Sequence, residues 1–187
     1  MKIVRTFIDV EIADSQLWTV VYDKEDTDEF NRLFDLWNDE EYLRTFFKEH
    51  IRDLQGDFWG NMLVRDAVFK ALNEAAVFED MLFEIGHGRP WKGKTRIKQF
   101  FQPLDNLEYN DKVYQKKKAK PESKLPFLRL YAIRLVDDSY IVTGGAIKLT
   151  DKMNGKTHLE KELVKLEQVK RYLKENDILY FEDLISV

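Results

Sequence analysis

Arg129 and Tyr131 stand two residues apart in Leu128-Arg129-Leu130-Tyr131-Ala132-Ile133-Arg134, and Lys148 closes the next apolar run. In an extended chain a spacing of two puts Arg129 and Tyr131 on one face and Arg134 on the other. A guanidinium, a phenol and an amine on neighbouring strands could converge on a phosphate or a stacked base. Lys116-Lys117-Lys118 and Lys120 precede these strands and add cations to the same region. The same residues also suit a solvated basic sheet edge, which blocks edge-to-edge association. From the residues alone both readings stand.

Other chemistries fall away on inspection. There is no Cys, which removes disulfides, thiolate zinc sites, iron–sulfur clusters and a thiol nucleophile. His50, His87 and His158 fall at no spacing that would place two of them together on a helix or a strand. No metal site is therefore expected, and no cofactor. Gly155-Lys156-Thr157 resembles the end of a phosphate-binding loop, but position 150, where that loop needs Gly, is Thr. Asn154-Gly155 reads as a turn instead. Paired acids such as Glu40-Glu41 suit a helix start, and no Gly-x-Ser-x-Gly elbow is present.

The net charge of −4 conceals a segregation. Residues 1–85 carry 9 Lys+Arg against 20 Asp+Glu, whereas residues 86–157 carry 16 against 7. A basic segment within an acidic chain can be a phosphate-facing surface, or it can pair with the acidic helices in the fold.

With 187 residues the chain suits one domain, residues 1–187, with a sizeable core. The opening residues turn acidic by Asp9 and read as no signal peptide, and no apolar run reaches the ~20 residues of a membrane helix. A cytoplasmic location and no membrane partner are expected. Residues 2–12 alternate as a strand, Ala13-Asp14-Ser15 reads as a turn, and Leu17–Tyr22 as a second strand, giving a hairpin over 1–25. An acidic helical part follows over 26–85. Phe30, Leu33, Phe34 and Trp37 mark its first helix; Leu43, Phe46, Phe47, Ile51 and Leu54 mark the second; the third runs from Leu63 to Glu84. Beyond the Gly86–Pro90 breaker come a loop anchored by Trp91, a short turn ended by Pro103, and a lysine strand over Lys112–Lys120. The strongest β signal spans 126–149, with a bend at Gly144-Gly145. Thr157-x-x-Glu160 reads as a capping box for a final helix, and the apolar tail from Ile178 is expected to dock. The fold class is thus α+β: an antiparallel sheet, an N-terminal helical group and a closing C-terminal helix.

The order Pro103-Leu104, lysine strand Lys116–Lys120, Leu-Arg-Leu-Tyr-Ala-Ile-Arg, acidic turn, strand ending Lys148-Leu149-Thr150, charged helix resembles the C-terminal half of the RelE/HigB/ParE toxin superfamily. The resemblance spans roughly residues 97–175, and the N-terminal strand and helix pair also suit that fold. It implies an antiparallel sheet packed by helices. Most members cleave mRNA on the ribosome without a metal; ParE-like members act on gyrase. Carried over, Arg129 matches the arginine at the scissile phosphate. Lys148 matches the basic residue ending the next strand, and Tyr131 would stack a base or relay a proton. These three form the implied catalytic set. Lys116, Lys118 or Lys120 matches the lysine-bearing strand, and all three, with Arg134, would be RNA contacts. The implied partners are RNA or the ribosome and a small neutralising antitoxin. The chain departs from the pattern in its length and its extra helix. Its usual basic pair reads Lys148-Leu149, its Tyr172 and Tyr180 lie in no recognisable motif, and the HigB-type histidine has no counterpart. A non-catalytic interaction module on the same scaffold is the alternative implied, and a small-molecule enzyme of another kind the third.

Overall fold

The computed structural model describes residues 1–9, 16–104, 113–150 and 156–185. Within them lies a six-stranded sheet in the order β1-β2-β6-β5-β4-β3. The strands are β1 (Lys2–Arg5), β2 (Leu17–Val21), β3 (Gln102–Pro103), β4 (Gln115–Ala119), β5 (Leu128–Arg134) and β6 (Tyr140–Ile147). The helices are α1 (Glu29–Trp37), α2 (Glu40–Glu49), α3 (Ile51–Leu54), α4 (Val64–Gly86), α5 (Thr157–Glu175) and α6 (Phe181–Ile185). No described helix is long and apolar enough to cross a membrane.

The α+β class holds, but the sheet is mixed, where antiparallel pairing throughout was expected. β2 runs parallel to β6, with Leu17 opposite Tyr140. A parallel neighbour requires a crossover connection, and the helical group after β2 supplies it. β6, β5 and β4 then form an antiparallel meander, and β3 pairs Gln102 with Lys118 at its edge.

β5 divides the core between its faces. Leu128, Leu130 and Ala132 join Phe34, Trp37, Phe47 and Phe78 of α1, α2 and α4. Tyr131 and Ile133 join Leu159, Leu166, Val169 and Leu173 of α5. The expected bend in β6 is a register shift: Tyr131 faces Gly144 while Ala132 faces Val142. Its two glycines permit close approach on both sides. A Cβ on Gly144 would collide with Glu162 Oε2, and one on Gly145 would lie 2.9 Å from the Trp37 ring.

Several boundaries differ from expectation for local reasons. β1 ends at Arg5, and Phe7 turns in to pack edge-on against Phe30 and Phe83; residues 10–15 lie outside the described residues, as do Lys112 and the Asn154-Gly155 turn. The second predicted helix breaks at His50, whose backbone leaves helical geometry between α2 and α3. The Thr157 capping box does not form: Lys156 is the N-cap and Thr157 is already helical. Asp28 and Asp39 do cap α1 and α2, their carboxylates accepting two amides each, a contribution of about 1 kcal/mol apiece. Leu184 of α6 is buried, so the tail docks.

Candidate functional site

The sheet register brings three cations to one end of the meander. Ala119 pairs with Leu130, so Lys120 is carried to the position across from Arg129. Arg129 in turn pairs with Ala146, and Lys148 stands two residues further along that chain. Its amide donates to the Phe127 carbonyl at 2.8 Å, extending the ladder beyond β6. Diagonal neighbours of this kind lie about 7–8 Å apart, within reach of long side chains. Lys120, Arg129 and Lys148 line one cavity of about 200 Å³ together with Lys124 and Thr150. Phe58, Trp59, Leu125 and Pro126 complete it, and no carboxylate is among its described lining residues.

The walls are fixed by buried groups that pattern reading missed. Glu74, on α4 and 5% exposed, accepts the Phe127 amide at 2.7 Å, the Leu128 amide at 3.3 Å and the Ser123 hydroxyl at 2.8 Å. Lys70 donates to the same carboxylate at 2.5 Å. One side chain thereby sets where the Arg129 strand begins. Trp59 donates its indole N–H to the Leu149 carbonyl at 2.7 Å and packs on Phe127 with ring centroids 4.5 Å apart. In the sequence nothing sets Trp59 apart between two helices, and Glu74 is one of many acids within the third helix. Only a buried position could have marked either.

Arg129 is half-buried. Its Nη1 donates to the carbonyls of Pro126 (2.8 Å) and Leu128 (2.7 Å), which hold the guanidinium at the cavity wall. Burial pulls its pKa below the ordinary arginine value, yet an arginine stays charged at any physiological pH. A rigid, part-desolvated guanidinium beside three lysines is suited to hold an anion in bidentate fashion.

Four of the residues singled out in the sequence lie elsewhere. Tyr131 is 1% exposed among the α5-side core residues, and burial pushes its hydroxyl well above the ordinary tyrosine pKa. Lys116 pairs with Glu167 of α5. Lys118 donates to the Leu104 carbonyl at 2.9 Å. Arg134 binds Asp138 and Gln115 at the far end of β5. Lys98 and Arg134 share Asp138 and Lys92 and Lys94 share Glu122, all within residues 86–157, while of the acids in residues 1–85 Glu84 takes Arg89 and Asp53 takes Lys156.

No family model, curated protein or solved structure matches this chain.

A wider cleft of about 680 Å³ opens between α1 and α5 above Gly145. Glu29 accepts both Arg32 (2.7 and 2.9 Å) and Lys165 (2.6 Å), while Glu162 accepts the Gly145 amide at 2.9 Å. Burial, first among its causes, raises the Glu162 carboxyl pKa above the ordinary value. These groups satisfy one another, so the network reads as a staple joining α1, α5 and the sheet. Beside it His50 and His158, far apart in sequence, meet with ring centroids 4.8 Å apart. Tertiary packing on Phe46 brings them together, which no sequence spacing could reveal. Among the described residues no three His, Asp or Glu groups come together as a metal site.

Proposed function

We propose that this chain binds the phosphate backbone of RNA at the Lys120–Arg129–Lys148 cavity and cleaves there, as a RelE/HigB-like toxin-related protein. The observation that carries the reading is the convergence on one cavity of Arg129 from β5 with Lys120 and Lys148, the residues that follow β4 and β6. The element order supports it in part: two strands, a helical group, the antiparallel β4–β5–β6 meander and the α5 helix follow the order of the resemblance, while the parallel β2–β6 pair departs from the antiparallel sheet it implied. A small antitoxin is the partner the resemblance supplies.

The chemistry is in-line attack by the ribose 2′-oxygen on the adjacent phosphorus, with departure of the 5′-oxygen. Arg129 and Lys148 hold the non-bridging oxygens, where charge builds in the transition state. The 2′-hydroxyl proton is lost to water, and the leaving 5′-oxygen takes a proton from a lysine ammonium of the cavity, which solvent then restores. The products are a 2′,3′-cyclic phosphate and a 5′-hydroxyl, with no metal in the scheme.

One observation favours a second reading. The described lining holds no imidazole and no carboxylate to act as base, so a binding module that holds phosphate without cleaving is the alternative. Incubation with end-labelled RNA in EDTA, followed by end-group analysis, separates the two. Cleavage to cyclic-phosphate ends, reduced about a hundredfold or more in Arg129→Ala, supports the enzyme. Intact RNA bound through Arg129 supports the module, and no binding at all contradicts both.

A further inference from the structure

The geometry points to Phe58 as the residue that selects an unpaired nucleotide, by stacking the base next to the phosphate held in the Arg129 cavity; this rests on the phosphate-binding reading above. The size of the cavity makes the first step. At about 200 Å³ it falls below the ~300 Å³ at which pockets for drug-sized ligands begin. It accommodates a phosphate and part of a sugar. The base of that nucleotide must lie outside, against the mouth.

The mouth is apolar and aromatic. Phe58 is 50% exposed and Leu125 is 42% exposed, although both line the cavity that the cations line. A phenylalanine left half in water costs free energy that burial would recover. Phe58 sits in the single 3-10 turn Asp57–Trp59, and its neighbour is pinned. Trp59 is buried, bonded to Leu149, and meets the Phe58 ring edge-on at 4.9 Å. A rigid aromatic beside a cationic cavity combines the two elements of single-strand recognition, backbone charge and a stacking platform. A paired base is already stacked within its helix, so a duplex cannot offer its base face to Phe58.

The test compares three 2′-O-methyl oligonucleotides, which bind but cannot be cleaved: a single strand, its abasic counterpart and its duplex. The full chain is titrated with each, alongside Phe58→Ala, Phe58→Trp and Arg129→Ala. The expected result is that the single strand binds roughly tenfold tighter than the abasic strand, and the duplex no tighter than the abasic strand. Phe58→Ala should bring the single strand down to the abasic affinity without changing the abasic affinity itself. Phe58→Trp should keep the preference. Because Phe58 is half-exposed, its substitution should leave the melting temperature nearly unchanged. An unchanged single-strand preference in Phe58→Ala overturns the role of Phe58 while leaving the phosphate site intact. Abasic binding that is absent, or indifferent to Arg129→Ala, overturns the phosphate site and the Phe58 role together.

Discussion

Glu74 accepts the Phe127 amide across the core, so a carboxylate on α4 fixes the start of the strand that carries Arg129. The same oxygen receives the Leu128 amide, and its partner oxygen receives Ser123 and Lys70. Helix, turn and strand are tied at one point.

Glu74→Ala should therefore destabilise the chain by about 3–5 kcal/mol, because it strands buried amides and leaves Lys70 without its carboxylate. Glu74→Gln should lose less, since its amide oxygen can still accept. Chemical denaturation of both variants checks the order. Equal losses would mean that the charge, not the acceptor geometry, holds the strand.

Gly144 meets Glu162 so closely that a methyl group cannot fit without movement. Gly144→Ala should cost about 1–3 kcal/mol. The same substitution should cost clearly less in a Glu162→Ala background, because the obstructing carboxylate is gone. Additive losses in the double variant would contradict the contact.

A buried carboxyl and a half-buried imidazole give stability opposite slopes with pH. The Glu162 carboxyl is raised above its ordinary value of 4.5. Its contribution is full below that value and is lost as pH rises through the folded-state pKa. The His158 imidazole is lowered from 6.5 by burial and by His50. Its contribution is present above 6.5 and is lost as pH falls through its folded-state pKa. Melting temperature measured against pH should show that Glu162→Gln removes a decline on the rising side, and that His158→Gln removes one on the falling side. Parallel profiles for wild type and either variant would contradict that assignment.

Lys116→Ala and Arg134→Ala should leave RNA affinity nearly unchanged, because Lys116 is paired with Glu167 and Arg134 with Asp138, away from the cavity. Stability should fall by no more than about 1 kcal/mol in each. Filter binding and thermal melts check both. A loss of affinity equal to that of Arg129→Ala would widen the interface to the whole basic sheet.

The elements were legible because periodicity reports burial. Phe30, Leu33, Phe34 and Trp37 gave α1 almost to the residue, and the 126–149 run gave β5 and β6. The parallel β2–β6 pair was not legible, since strand order depends on where the helices carry the chain. Of the site, Lys120, Arg129 and Lys148 could be chosen by type and order. Tyr131 could not be told from a core tyrosine, because one strand face holds both Arg129 at its open end and Tyr131 beneath α5. Phe58, Trp59 and Glu74 left no mark because their roles are tertiary.

The most direct measurement is the salt dependence of single-stranded RNA affinity for the wild type and for Lys120→Ala/Arg129→Ala/Lys148→Ala. Each neutralised phosphate contributes a slope of about −0.7 in log affinity against log salt. Removing three of the four cations that line the cavity, with Lys124 left in place, should flatten the slope by about 2 relative to the wild type, with the fold of the triple variant intact by circular dichroism. Equal slopes in the two proteins would contradict RNA binding at this cavity.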